Sequence, residues 1–307
     1  MKILLLIGFC ILCFMFPFVK CVVCNLPYVV YDGSIDLFTY IRYKMWRNIP
    51  EGSVLGKIRV YCGLFGKGKT LSCVLKVTNL YDKYDGLLVW DKNRKKFVNQ
   101  RVVILSNVHL NGYRFIKLKS LSQITQLCHY FHEYDLKNDT YTALICLIDE
   151  LSVQLNSRSF KDNIDPYFLN TLLTCRKYHL GIYGTAQRFN QIDALFRQVT
   201  QEVVECNKIW RLQGQKFYDA YDLENCTNPL LVQPIAKDCV YIRNKHYNRY
   251  DTHAMVDNLE KKQKEGDFIS DDEILKKVTP LFVGADTVTK YSKLARKRRP
   301  NKKKYGS

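Results

Sequence analysis

Eight consecutive residues, Gly63-Leu64-Phe65-Gly66-Lys67-Gly68-Lys69-Thr70, constrain this 307-residue chain more than anything else in it. They match G-x-x-x-x-G-K-[ST], and each position has a physical reason. Glycines let successive backbone amides turn inward around phosphate oxygens, where a Cβ would stand in the way. A helix opening near Lys69 adds the positive end of its dipole. Lys69 then reaches the β and γ phosphates, and the Thr70 hydroxyl binds Mg2+. The flanks agree with this reading. KIRVYC (57–62) reads as a short buried strand, and TLSCVLKVTNLY (70–81) sets Leu71, Val74, Leu75 and Leu80 at helical spacing. The candidate nucleotide-binding set is therefore Gly63, Gly66, Lys67, Gly68, Lys69, Thr70 and Leu71, with ATP and Mg2+ as the implied cofactors.

Binding alone does not hydrolyse a phosphoanhydride. A carboxylate is needed for the magnesium shell, and a second group must orient the attacking water. ALICLIDE (143–150) is an uncharged strand ending in two acids. Asp149 is the expected metal-side carboxylate, alongside Thr70, and Glu150 the expected base. LGIYG (180–184) reads as a further strand, and Gln187, just beyond it in GTAQ, is positioned to touch the γ phosphate. Arg158, Arg176, Arg188 and Arg197 all follow the acid pair. In a ring assembly one of them reaches a neighbour's site as an arginine finger, and Arg197 is taken with Glu150 and Gln187 as the catalytic set.

Strands alternate with helical stretches from residue 57 onward. RVVILSNV (101–108) is a second core strand, 113–118 an edge strand, 120–133 a helix, and 143–148 the third core strand. Helices over 165–178 and 189–200 flank the strand at 180–184, and EVVECNKIW (202–210) is the fifth strand. Strands separated by helices pair in parallel through crossovers, so the expected fold is α/β, a three-layer sandwich with a mostly parallel sheet. A core strand inserted between the two motifs, with Glu beside Asp, marks the additional-strand type of P-loop NTPase. The expected organisation is an apolar N-terminal membrane segment (1–31), a linker (32–56), the ATPase domain (57–250) and a charged appendage with a basic tail (251–307).

Charge narrows the partners. Lys and Arg number 47 against 29 Asp and Glu, a formal +18, which implies nucleic acid or an anionic membrane surface. Residues 290–307 hold nine basic side chains and no acid; the alternative for that tail is a solvated end that only aids solubility. Cys62, Cys73 and Cys146 fall in or beside core elements and read as small buried hydrophobes in a reducing compartment. Cys21 and Cys24 have C-x-x-C spacing but no second pair at zinc-site spacing. Residues 3–19 carry no charge, which fits a signal peptide, a membrane anchor or a start assigned too far upstream. The need for ATP favours the anchor. Arg42, Lys44 and Arg47 would then keep the following domain in the cytoplasm, at the host cytoplasmic membrane.

These motifs, in this order, resemble the zonular occludens toxin-like ATPases, filamentous-phage assembly proteins of the HerA/FtsK group of DNA motors. The resemblance spans roughly 58–213 and rests on IRVYCGLFGKGKT, VVILSNVHL, LIDELSVQLNSR and CRKYHLGIYGTAQRFNQIDALFRQV. It implies a membrane-associated ATPase that extrudes or packages viral DNA, single- or double-stranded, as a homo-oligomeric ring working with other viral assembly proteins. Family members usually place the membrane segment after the ATPase domain, whereas here the apolar run comes first. That departure keeps a genome-packaging ATPase of another virus type as an alternative. So does a toxin-like or regulatory nucleotide-binding protein that does not act on DNA.

Overall fold

The computed structural model describes residues 17–91, 93–154, 166–250, 269–274 and 277. It divides into two units, residues 1–48 and 49–307. In the first, helices α1 (Pro17–Cys24) and α2 (Leu26–Trp46) follow one another. Among the described residues no helix is long and apolar enough to cross a membrane. The uncharged run 3–19 lies outside the described residues apart from 17–19.

The second unit begins earlier than the motifs suggest. Ile49, Val54 and Leu55 are buried in the core. The Ile49 amide donates to the Gln100 side chain at 2.9 Å, and the Gly56 amide to the Leu180 carbonyl at 2.8 Å. Residues 49–56 thus belong to the sheet domain. The expected linker over 32–56 is instead the greater part of α2 followed by this buried lead-in.

Among the described residues one nine-stranded sheet organises that unit. Its strands are β1 (Lys57–Cys62), β2 (Leu87–Asp91), β3 (Lys96–Ser106), β4 (Phe115–Lys117) and β5 (Thr140–Ile148), followed by β6 (Leu180–Ala186), β7 (Glu202–Ile209), β8 (Leu212–Asp219) and β9 (Ala236–Tyr241). They run in the order β2-β3-β5-β6-β1-β7-β8-β9, with β4 on β3. From β3 to β7 every pairing is parallel, while β2, β8 and β9 join antiparallel at the two margins. The central strands β5, β6 and β1 are buried nearly throughout, as parallel strands covered on both faces must be.

Alternation along each strand sorts the side chains into two layers. On one face helix α3 (Lys69–Tyr84) packs Val74, Val77 and Leu80 against Tyr61, Val102, Ile145 and Tyr183. On the other, α4 (Ser122–Lys137) and α6 (Pro166–Leu173), which follows the short α5 (Leu151–Gln154), cover Ile58, Val60, Leu105, Cys146 and Ile182. This is the expected three-layer α/β sandwich. The additional strand is β6, which sits in space between β1 and β5; β3, inserted in sequence, lies outside β5.

Two expected helices are shorter than their apolar spacing suggests. The 165–178 stretch is α6 followed by turns, ending at His179 with a positive φ of 51°. The 189–200 stretch is a 3-10 turn (Phe189–Gln191) and then α7 (Ala194–Val199), because Asp193 caps α7 by accepting from the Leu195 amide at 2.8 Å. Residues 251–307 are not wholly an appendage. Ile269 and Ile274 are buried on the α4 face, and the Ile269 backbone exchanges hydrogen bonds of 2.8 and 3.3 Å with Gln126. The basic tail 290–307 lies outside the described residues.

A buried ion pair fixes the far end of the sheet. Asp135 on α4 accepts from Arg101 Nη2 (3.3 Å), the Thr142 amide (2.6 Å) and the hydroxyls of Thr140 (2.5 Å) and Thr142 (2.8 Å). Asp135→Ala removes the carboxylate that faces the buried guanidinium. The expected cost is about 3–5 kcal/mol. It is read in urea or thermal unfolding as a lower midpoint.

Candidate functional site

Register alone brings the motif residues together. In the β5–β6 ladder Ile148 stands opposite Gly184, and in the β1–β6 ladder Cys62 stands opposite Ala186. The residues just beyond the ends are then Asp149 beside Thr185, and Gly63 beside Gln187. Both contacts form. Thr185 Oγ1 donates to Asp149 Oδ1 at 2.5 Å, and the Gly63 amide donates to the Gln187 carbonyl at 3.3 Å.

The loop 63–68 leaves β1, and α3 begins at Lys69. Gly68 occupies the helix N-cap with φ 77° and ψ 25°, a left-handed conformation that suits a residue without a Cβ. Lys69 is buried, with Nζ 3.5 Å from the Leu64 carbonyl and 5.7 Å from the Phe65 ring centroid. Lys67 points elsewhere, donating to Asn207 Oδ1 at 2.9 Å. Leu71, two residues inside the helix, packs with Leu75 and Ile242.

Thr70 Oγ1 donates to Asp149 Oδ1 at 3.0 Å, so the hydroxyl of the loop and the carboxylate of β5 already converge. The carboxylate is held from a third side through its backbone. Asn107 accepts from the Asp149 amide at 2.8 Å and donates to its carbonyl at 3.1 Å. Burial pushes the Asp149 carboxyl up, opposed by the hydrogen bonds from Thr185 and Thr70 and by the nearby Lys69 charge. A buried hard-oxygen pair of this kind suits a divalent cation, which favours oxygen donors and repays the carboxylate's desolvation. Thr70 and Asp149 are the residues that would hold Mg2+, which would there neutralise phosphate charge.

Glu150 adopts φ 56°, unusual for a residue with a side chain, and its amide donates to Thr185 Oγ1 at 3.1 Å. Such backbone strain is tolerated where neighbours over-determine the conformation, and here it turns the chain sharply at the sheet edge. Burial raises the Glu150 carboxyl, the Asp149 charge raises it further, and Lys69 opposes both. The following residue, Leu151, lies so close to Gly184 that a Cβ there would stand 2.0 Å from its Cδ1.

Thr185 and Asn107 were not among the expected site residues. The signal for both is a polar residue at the end of an otherwise apolar strand, in GTAQ and in LSN. Gln187 lies half-buried at the same edge, beside the loop. Arg197 is placed otherwise than a finger requires. Its Nε and Nη2 donate to Glu224 at 2.6 and 2.9 Å, and Nη1 donates to the Asn190 and Ile192 carbonyls at 3.2 and 2.6 Å. The guanidinium ties α7 to α8 (Ala220–Asn225), so the arginine-finger reading of Arg197 is replaced by an anchoring one. Arg188 is exposed next to Gln187, Arg176 is exposed just ahead of β6, and Arg158 lies outside the described residues.

Strand order, loop and strand-end acids together define a P-loop NTPase fold of the additional-strand type. Solved structures similar to this chain include the N-terminal domain of zonular occludens toxin from Neisseria meningitidis. It is 16% identical over 64% of this chain and 100% of that one, with a TM-score of 0.40. The genome packaging NTPase B204 of Sulfolobus turreted icosahedral virus 2, in complex with ATP-gammaS, is 13% identical over 54% of this chain and 94% of its own, at TM-score 0.36. ATPases 2 and 3 of EssC from Geobacillus thermodenitrificans are 12% identical over 77% of this chain and 45% of their own, also at 0.36. No protein-family model and no curated protein matches the chain.

The raised Asp149 carboxyl has a thermodynamic consequence. A carboxylate whose folded pKa lies above its unfolded one opposes folding once pH exceeds the unfolded value, and the penalty disappears below it. Asp149→Asn keeps an acceptor for both threonines and removes that penalty. The nucleotide-free protein should melt a few degrees higher at neutral pH, on the scale of roughly 2–4 °C per kcal/mol. The gain should vanish in scans taken below about pH 4.

Proposed function

We propose that this chain is a magnesium-dependent ATP hydrolase that drives nucleic acid through a viral assembly or packaging machine. The observation behind the hydrolase is the meeting of Thr70, Asp149 and Glu150 at the ends of strands flanking β6. Loop amides and Lys69 grip the triphosphate, and Thr70 with Asp149 fix the cation side. Glu150 orients water for in-line attack on the γ phosphorus and accepts its proton as the bond to ADP breaks. Gln187 at the same edge is the γ-phosphate contact. In a homo-oligomeric ring, the exposed Arg188 beside it is the arginine set to reach the neighbour's nucleotide.

A surface next to the site supports a nucleic-acid partner. The β8–β9 pairing sets Leu212–Phe217 beside Ala236–Tyr241, and Asp238 is the one acid among the paired residues. Trp210 (73% exposed), Ile209 (71%) and Tyr241 (50%) stand out there among Lys208, Arg211, Arg243 and Lys245. Aromatic faces for bases amid cations for phosphates are what single-stranded nucleic acid requires. The sequence segments resembling zonular occludens toxin-like ATPases favour the same partner. We place the action at the host cytoplasmic membrane, with the sheet unit in the cytoplasm. The uncharged run 3–19 supports this, together with Phe18, Tyr28, Val30 and Phe38, which stand exposed along α1 and α2.

Two sets of variants test the proposal. Lys69→Ala should abolish ATP binding, whereas Glu150→Gln should bind ATP and lose turnover by a factor of about 100 or more. Wild-type turnover should fall as pH drops through the raised Glu150 carboxyl. That acid limb should begin above the ~4.3 of a free glutamate. Unchanged turnover in Glu150→Gln removes the hydrolase assignment of that residue.

Trp210→Ala should weaken single-stranded DNA binding by about 1–3 kcal/mol. Deleting residues 290–307 should flatten the slope of log affinity against log salt. Wild-type affinity and slope in both variants would leave the motor without its substrate.

A further inference from the structure

Gln213 is wholly buried, lies outside every motif, and touches the phosphate-binding loop. It stands on β8 opposite Lys208 of β7, at the end of the hairpin that flanks β1. Its Nε2 donates to the Lys67 carbonyl at 3.0 Å and to the Asn207 carbonyl at 3.4 Å. Asn207 in turn accepts from Lys67 Nζ at 2.9 Å through its own side chain. The hairpin therefore holds Lys67 by backbone and by side chain together.

The other half of the amide is the informative half. Gln213 Oε1 is buried and has no hydrogen-bond partner among the described residues. A buried acceptor left unmade costs stability, and such atoms concentrate where function requires them. Turning the amide over would not relieve it, because Oε1 would then face two carbonyl oxygens. The oxygen lies against Gly68, where a Cβ would stand 2.1 Å from it. Gly68 is thus required twice, for its left-handed backbone and for the space that Gln213 fills.

We propose that Gln213 is a positioning residue that clamps the loop in its phosphate-ready shape before nucleotide arrives. The clamp works on Lys67 and Gly68, two and one residues ahead of Lys69, so it sets where that ammonium and the following amides point. A preformed loop spares the ligand the entropy of ordering six backbone residues, which appears as affinity rather than as turnover. The significance for ATP rests on the nucleotide-binding reading above; the clamp itself does not.

The test uses the full chain and has one readout without nucleotide. Gln213→Met keeps length and volume but removes both donors. In nucleotide-free protein, amide hydrogen exchange across residues 63–70 should rise about tenfold, with core strands β5 and β6 unchanged. The Kd for ATP should then rise about five- to tenfold, with kcat within about twofold of wild type. Gln213→Glu sets a carboxylate against the same carbonyls and should do worse on both counts. Unchanged loop exchange in a folded Gln213→Met protein overturns the clamp. Faster loop exchange in a chain that fails to bind ATP even as wild type keeps the clamp and overturns the nucleotide reading. Equally faster exchange in the core strands β5 and β6 would show a general loss of structure and also overturn the assignment.

Discussion

A carboxylate taken out of water seeks a counter-charge or donors, and Asp149 obtains donors from two threonines and a nearby charge from Lys69. Two threonine hydroxyls, from the first turn of α3 and from the end of β6, point at one of its oxygens. Its backbone is fastened to Asn107 at the end of β3. Three strand ends and one helix start are thereby tied to a single carboxylate whose burial outweighs its hydrogen bonds and the nearby Lys69 charge. That arrangement opposes folding and favours a cation, which is the physical reason to expect a metal and its phosphate ligand here. Glu150, turned through a strained backbone on the far side of Thr185, shares the same anchoring hydroxyl.

The sheet exists to hold those ends level. Because β1, β6, β5 and β3 run parallel and in register, their carboxyl ends form one edge, and residues distant in sequence become neighbours without long side chains reaching across. Apolar layers on both faces keep that register, since slipping a strand by one residue would exchange the side chains fitted to its two packed faces. The antiparallel hairpin β7–β8 and strand β9 then carry the edge outward. They reach the loop through Gln213 and Asn207, and end in the exposed aromatic and basic tip at Ile209–Arg211.

Much of the centre was readable in the residues themselves. Uncharged runs such as ICLI and the glycine-rich turn leave little choice of structure, and the strand endings placed Asp149 and Glu150 correctly at the sheet edge. The margins were not readable. β8 (LQGQKFYD) has Gln, Gly and Lys where a strand signal needs apolar alternation, because its pairing partners rather than a buried face hold it. Arg197 and Gln213 show the same limit in the site. Whether an arginine is free depends on Glu224, 27 positions away, and whether a glutamine supports the loop depends on a hairpin closing 146 positions from Lys67. Local spacing holds no trace of either. Thr185 and Asn107 were within reach, as polar residues ending apolar strands, and needed only the register to be assigned.

The central claim is that the edge where Thr70 meets Asp149 is a magnesium–triphosphate site. A structure of the full chain with a non-hydrolysable ATP analogue and Mg2+ tests it most directly. The account predicts the phosphates wrapped by residues 63–70, the cation between Thr70 and Asp149, and their direct 3.0 Å hydrogen bond opened to admit it. A nucleotide bound elsewhere, or bound here with that contact intact and no cation between the two residues, would contradict it.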